Sequence, residues 1–303
     1  MLGFEHLSSE PTHTYERMAG ARGEDRSVPS AFAFDLDGTV YLGDKLLPGA
    51  REFLHALVEG GVPHVFATNN SSDPGSRYVE RLQRLGIAVS REQVLTSNDV
   101  AIAHLAMAGV TRPLLLATPE VVSEYREHGY HAVGGEPAAG PDVEPDAVVL
   151  TFDTTLTYDK LVRAAHWIRA GVPYFATHPD KTCPTPLGPI PDCGSFIALL
   201  EHSTGRSPTI LGKPQRQMAD AIRSRLDRPA HDIAFVGDRL YTDVRMANEY
   251  GFMAVLTLTG ETTADDLRGS DHTPDVVVAD LWELQDRTLA SRRPGSDPRA
   301  TAP

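Results

Sequence analysis

The sequence predicts an α/β protein built on a mostly parallel sheet with helices on both faces. Two observations carry this. Short apolar runs alternate with segments of helical periodicity from about residue 30 to about residue 288, and such βαβα order requires crossover helices between parallel strands. The chain is 303 residues long, room for about two domains. Its 41% hydrophobic and 23% charged residues are normal for a globular protein.

The first run, 31–34, is a short buried strand, ended by the breaker Gly38. Residues 48–59 form a helix with Ala50, Phe53, Leu54 and Leu57 on one face, stopped by Gly60 and Gly61. Residues 64–68 are the second strand. Asp73 and Pro74 are the expected N-cap and first-turn proline of a helix in which Tyr78, Leu82 and Leu85 are in step, ending at Gly86. A helix over 99–107, a strand over 114–117, a helix over 119–128 and a strand near 130–133 follow. Beyond a loop rich in Gly, Pro and Glu (134–146) come a strand from 147, a helix over 158–170 and a strand from 173. Residues 177–194 are too rich in proline for a helix and too long for an idle connection. Ser195 is expected to cap a helix reaching about His202. The last third is regular: a strand at 209–211, a helix with Met218, Ile222 and Leu226 in step, a strand at 233–237, a helix to Tyr250, and strands beginning at 253 and 276. Residues 1–29 and 289–303 lack sustained periodicity and are expected to be flexible arms.

Four of these strands hand over to polar residues with chemical capacity. After the first stand Asp35 and Asp37, which alternation points the same way. By itself the pair fits either solvated acids in a surface turn or carboxylates that a cation must relieve. Mg2+ binds oxygen, commonly through one or two carboxylates with water and phosphate, and an Asp can act as a nucleophile. The second strand ends in Thr68-Asn69-Asn70, a hydroxyl and successive backbone N–H groups ahead of a helix, suited to an anion or simply to capping. Lys213, between Gly212 and Pro214, follows an apolar run. It is not a P-loop lysine, since Ser207 and Pro214 break that pattern. Asp238 ends the strand at 233–237, and Asp243 opens the next helix, where a carboxylate is favoured in any case. In an open parallel sheet the ligand crevice lies at the carboxyl ends of the strands, so these residues are expected to meet there. A weak internal echo joins 61–70 to 171–180. Two ordinary helix-to-strand units explain it, or else both loops converge on one crevice.

Charge and composition narrow the function. Lys and Arg number 28 against 41 Asp and Glu, a net of −13, which argues against nucleic acid as the main partner. No apolar run approaches the roughly 18 residues of a membrane span, and the first residues lack a basic segment followed by an apolar core. No membrane partner and a cytoplasmic location are therefore expected. Cys183 and Cys193 carry no zinc-ligand spacing and are expected as reduced thiols.

The combination DLDGTVYLG (35–43), TNN (68–70), GKP around Lys213 and GDRLYTD (237–243) resembles the haloacid dehalogenase (HAD) superfamily of phosphatases. LPGA, FATNNSS and GDRLYTD are similar to its NagD-like and p-nitrophenyl-phosphatase-like subfamily IIA. The resemblance spans about residues 30–285. It implies a Rossmann-like doubly wound HAD core, 30–106 and 206–288, with an inserted α/β C2a cap, 107–205. It implies a Mg2+-dependent phosphomonoesterase acting on a small phosphorylated metabolite such as a sugar phosphate, nucleoside monophosphate or phosphoglycolate. Asp35 would be the nucleophile and Asp37 the acid/base. Asp35, Asp238 and the Asp37 carbonyl would hold the metal. Thr68, Asn69, Asn70 and Lys213 would bind the phosphate, with Asp243 and Gly38 in support. The family commonly has Thr-Asn-Pro-Asp where this chain has Thr-His-Pro-Asp at 177–180, which marks His178 and Asp180 as candidate substrate contacts. A phosphotransferase with the same aspartyl-phosphate, or a phosphate-binding protein without turnover, would keep the same motifs. Relatives form cap-mediated dimers, so a homodimer fits as well.

Overall fold

The structure is a computed structural model describing residues 29–134, 144–185 and 187–291. Nearly all of the expected N-terminal arm, most of the 134–146 loop and the tail beyond Ser291 lie outside the described residues. The chain opens with β1 (Ala31–Phe34), the two-residue strands β2 (Tyr41–Leu42) and β3 (Lys45–Leu46), α1 (Ala50–Glu59) and β4 (His64–Thr68). It continues through α2 (Gly75–Arg84), β5 (Val94–Thr96), α3 (Ser97–Met107), β6 (Pro113–Leu116), α4 (Pro119–Glu127) and β7 (Ala147–Leu150). Then come α5 (Tyr158–Arg169), β8 (Tyr174–Ala176), β9 (Thr182–Cys183), β10 (Ile190–Pro191), α6 (Cys193–Thr204) and β11 (Thr209–Ile210). The last part holds α7 (Arg216–Leu226), β12 (Ile233–Gly237), α8 (Arg245–Tyr250), β13 (Met253–Thr257), β14 (Val276–Val278) and α9 (Leu281–Ser291).

Two parallel sheets carry the architecture. The larger has the order β14-β13-β12-β1-β4-β5, and every neighbouring pair is parallel. The smaller, β11-β8-β7-β6, is parallel too. In the larger sheet β1 lies between β4 and β12, so the chain leaves it in opposite directions. That reversal opens a crevice at the carboxyl ends of these three strands.

Strand alternation builds the layers. Ala31 and Ala33 point to one face of the large sheet and pack with α3, α7 and one face of the small sheet in a continuous apolar cluster. Phe32 and Phe34 point to the other face and pack with Phe53 and Leu57 of α1 and with Leu281 of α9. The Phe53 ring meets both Phe rings edge-on, with centroids 5.4 and 5.9 Å away. The far face of the small sheet is covered by α5 and α6. Because α3 lies against both sheets, the two units share one core.

Several local expectations are corrected. Asp73 does not cap α2: Pro74 holds that position without a side-chain bond, and the Gly75 N–H instead donates to Glu124 Oε1 of α4 at 2.8 Å. α6 is capped by Asp192, which accepts from the Cys193 N–H, and Ser195 lies inside the helix. The expected strand at 130–133 is reduced to a single bridge from Val133 to Leu114. The strand near 209–211 pairs with β8, so the chain returns to the large sheet a few residues later than the expected boundary at 206. The expected tail from 289 begins later, because α9 runs to Ser291. Both cysteines are unpaired, as expected. Among the described residues no helix is long and apolar enough to cross a membrane.

Gly49 joins the hairpin to α1 at φ 79°, and a Cβ there would overlap the main chain of Leu281 and Trp282 at the start of α9. Gly49→Ala is expected to cost about 1–3 kcal/mol of stability from this overpacking. Urea unfolding followed by circular dichroism measures it, and an unmoved midpoint would show that the α1–α9 junction can shift without cost.

Candidate active site

The crevice gathers the strand-end residues. Asp35 follows β1, Thr68 ends β4, and Asp238 follows β12. Lys213 arrives from the other direction, on the segment between β11 and α7. Its ammonium lies 2.6 Å from Asp35 Oδ1 and 2.8 Å from Asp243 Oδ1. It also stands over the Phe235 ring, 5.3 Å from the centroid. Burial alone would lower the lysine's pKa, but the Asp243 and Asp35 charges outweigh it and hold Lys213 above its ordinary value, so it stays protonated. Asp243 sits in a wide π-turn, Leu240–Val244, that tucks its carboxylate back under Gly237. Its Oδ2 accepts from the Arg239 N–H at 3.1 Å.

Asp37 lies beside this cluster, partly buried, and accepts from Asn70 Nδ2 at 3.4 Å. Burial first, and the Asp35 charge second, push its carboxyl up to about 6. Gly38, at φ 90°, turns the chain sharply after it, and a Cβ there would crowd the Asp238 carboxylate. The Thr68 hydroxyl accepts from the Asn70 N–H at 3.0 Å, closing a tight turn at the end of β4. The Asn69 side chain is turned inward. Its Oδ1 accepts the Lys213 N–H at 2.8 Å, while its Nδ2 donates to the Lys213 carbonyl and to Asp180 Oδ1, both at 3.0 Å. Both amide hydrogens are committed, so the Asn69 side chain has no donor left for an anion, and only its main chain can serve one.

The carboxylates of Asp35, Asp238 and Asp243 lie within 4.8 Å of one another. Burial first, then the charges of Asp35 and Asp243, raise Asp238 well above the ordinary carboxylate range. Asp238 Oδ2 accepts from the Glu261 N–H at 2.7 Å, but Oδ1 is buried without a hydrogen-bond partner. Lys213 serves Asp35 and Asp243 and leaves Asp238 without a cation. All-oxygen donors, an orphaned carboxylate oxygen and uncompensated charge fit a hard divalent cation held by Asp35, Asp238 and main-chain oxygen.

The two candidate contacts from the smaller sheet divide. Asp180 reaches the cavity wall, where one oxygen receives Asn69 and the other Arg239 Nη1 at 2.6 Å. His178 is fully buried behind it, 3.7 Å from Asp180 and 3.6 Å from Asp192, and does not line the cavity. Burial drives its pKa down to about 4, so the ring is neutral near pH 7. His178, Asp180 and Asp192 lie close enough to suggest a second cation site, but Asn69, Arg239 and the Cys193 N–H already occupy the two carboxylates. The remaining wall consists of Cys183, Pro184, Asp192 and Thr242.

Arg239 and Asp192 are the residues that sequence reasoning passed over. Arg239 is only 7% exposed and pairs with Asp180 and, at 2.9 Å, with Glu261. Its signal lay inside GDRLYTD: a charged side chain directly after a buried strand and an acid must find partners. The echo between 61–70 and 171–180 proves to be convergence. Ser71 Oγ meets Thr177 Oγ1 at 2.9 Å, and Asn69 meets Asp180.

The chain is similar to known proteins over most of its length. A haloacid dehalogenase-like hydrolase model matches residues 32–131, and a HAD-hydrolase-like model matches residues 210–284. An acid sugar phosphatase from Staphylococcus aureus is 30% identical over 264 residues, covering 84% of this chain and 95% of the relative. The crystal structure of a 4-nitrophenylphosphatase from Thermotoga maritima superposes with a TM-score of 0.78 at 42% identity, covering 85% of this chain and 97% of that one. A glycerol phosphate phosphatase from Mycobacterium tuberculosis in complex with magnesium superposes with a TM-score of 0.75 at 31% identity, over 86% of this chain and 79% of that one. With motif, topology and site in agreement, the chain belongs to the haloacid dehalogenase-like hydrolases, among the NagD-like and p-nitrophenyl-phosphatase-like members.

Proposed function

We propose that this protein is a Mg2+-dependent phosphomonoesterase that works through a phosphoryl group held transiently on Asp35. The observation that carries the reading is the meeting of Asp35, Lys213 and the orphaned Asp238 at one crevice floor. Mg2+, held by Asp35, Asp238 and the Asp37 carbonyl, would supply positive charge against the phosphate and the nucleophile together. An Asp35 oxygen attacks phosphorus in line, and the bond from phosphorus to the ester oxygen breaks. Asp37 gives its proton to that departing oxygen. In the second half, Asp37 takes a proton from water as the water attacks phosphorus, the bond to Asp35 breaks, and inorganic phosphate leaves. Thr68, the main-chain N–H of Asn69 and Lys213 stabilise charge on the oxygens that stay on phosphorus throughout, where most catalysis of phosphoryl transfer lies.

The wall beyond the phosphate position supports a reading of the substrate class. Asp180 and Asp192 line it, and the one guanidinium there, Arg239, is already matched by Asp180 and Glu261. Among the described residues that line the cavity, the cations are Lys213 and Arg239, and both are already paired with carboxylates. The small cavity supports a compact, uncharged, hydroxylated leaving group, which favours a sugar or polyol phosphate over phosphoglycolate. The relatives named acid sugar phosphatase and glycerol phosphate phosphatase point the same way.

Phosphate release from p-nitrophenyl phosphate should require Mg2+ and stop on its removal by a chelator. Asp35→Asn should abolish release, and a variant that still turns over with Mg2+ would overturn the assignment of the nucleophile. Lys213→Ala should lower kcat/KM by roughly 10²–10³-fold, the loss typical of one buried charge-stabilising donor. Steady-state kinetics measures this, and an unchanged value would leave Lys213 outside the phosphate subsite.

A further inference from the structure

Resting on the phosphatase reading, we propose that Asp180 is a positioning residue for Lys213, through a closed circuit of side-chain and main-chain bonds that reports the seating of the smaller unit to the phosphate subsite. The ring can be followed bond by bond. Asp180 Oδ1 accepts from Asn69 Nδ2, and the Asn69 carboxamide grips both the N–H and the carbonyl of Lys213. Asp180 Oδ2 accepts from Arg239 Nη1, and the Arg239 N–H donates to Asp243 Oδ2. Asp243 Oδ1 lies 2.8 Å from the Lys213 ammonium, which closes the circuit. One arm fixes the lysine's main chain and the other its charged end. All five members are at most 7% exposed, so each bond acts in a low dielectric and each lost partner leaves a buried group unsatisfied.

Asp180 is the only member carried by the smaller unit. Its main chain is tied to the start of α6, where the Gly194 N–H donates to the Asp180 carbonyl at 2.7 Å. A second tie runs beside it: the Gly212 N–H donates to the Thr177 carbonyl at 2.7 Å, and a Cβ at 212 would overlap Thr177 O and crowd Asn69 Oδ1. The segment bearing Lys213 is thus seated jointly by the motif loop after β4 and by the segment after β8. Both Asp180 oxygens are spent on core residues, which assigns this side chain to the lysine rather than to the leaving group.

The test separates these two assignments with a ligand that has no leaving group. Inorganic phosphate, in the presence of Mg2+, is titrated calorimetrically into the wild-type protein, Asp180→Asn, Asn69→Ser and the double variant. Each is first melted to establish that it is folded at the assay temperature. Asp180→Asn keeps the shape but sets an amide NH2 against either Asn69 or Arg239. It is expected to weaken phosphate about tenfold and to lower kcat equally for p-nitrophenyl phosphate and glycerol phosphate. Removing a negative charge near an anion would by itself tighten binding, so a weakening has the opposite sign to simple electrostatics. The double variant should lose no more than the worse single variant, because both cut one ring. Unchanged or tighter phosphate binding in Asp180→Asn, a KM change confined to one ester, or additive losses in the double variant would overturn the proposal. Should Asp180→Asn fail to fold, Arg239→Lys keeps the charge and the main-chain bond to Asp243 but gives up the guanidinium fork that holds Asp180 and the Thr182 carbonyl, with the same expected weakening and the same contrary result. A wild-type protein without turnover defeats the phosphatase reading itself. An active wild type whose Asp180→Asn variant binds phosphate normally defeats the ring alone.

Discussion

One ammonium group shared between two carboxylates organises the molecule. Lys213 lies within 2.8 Å of both Asp35 and Asp243, with Asp238 close by and Asp37 at the edge. Concentrating acids in a buried crevice costs free energy that the fold must offset with fixed cations and directed N–H groups. Each feature around the site follows from that. Lys213 enters from a loop because the strand ends are taken by the acids. The π-turn at Leu240–Val244 brings Asp243 back beneath β12, where a regular helix start would carry it away. Gly38 and Gly260 have no side chain because the Asp238 carboxylate occupies the space where a Cβ would stand. The charge left over after Lys213 and Arg239 are matched is negative, which is why a divalent cation suits the floor.

The same loop that presents the anion site seats the smaller unit. Asn69 bonds to Asp180. Ser71 Oγ pairs with Thr177 and accepts the Phe152 N–H. The Ser72 carbonyl accepts from Thr118 Oγ1, and the Gly75 N–H donates to Glu124. These partners follow β8, β7 and β6, or lie on α4, so the carboxyl ends of the small sheet rest on the segment 69–75. In both sheets the strand ends face the same place. The α2 terminus therefore takes a partner from the opposite unit that no local pattern encodes, while the α6 terminus takes a local cap, Asp192, an acid that also lines the cavity.

That explains what the sequence made legible. β1, β4 and β12 were readable to the residue, because a fully buried central strand must be apolar throughout and must stop where the polar chemistry begins. The strand-end residues were readable for the same reason, since Asp35, Thr68, Lys213 and Asp238 each break an apolar run. Most of what failed depended on partners distant in sequence. Asp73 looks like a cap locally, but Glu124 of α4 serves that helix start, and Ser195 lost the cap to Asp192, which precedes it by three residues. The strand at 209–211 gives no local sign of which sheet it joins. His178 stood out as a departure from a familiar motif, yet the fold buries it behind Asp180 and Asp192.

The division of labour between Asn69 and Asn70 carries the synthesis one step further. Adjacent identical residues at a strand end look interchangeable, but the turn closed by Thr68 points them apart. Asn70 turns toward Asp37 and the open crevice, while Asn69 turns inward to the Lys213 main chain and Asp180. A carboxamide suits the inward position because it offers an acceptor and two donors in one plane, and the lysine's N–H, its carbonyl and a carboxylate use all three. An Asp there would set a like charge against Asp180 and lose the bond to the carbonyl, and a Ser would be too short to span both units. The outward Asn holds the acid beside it with its NH2 and braces the turn through its Oδ1, which accepts from the Ser72 N–H and hydroxyl. The pair therefore joins two functions at neighbouring residues: one fixes the lysine against the seat of the smaller unit, and the other keeps Asp37 at the mouth of the crevice.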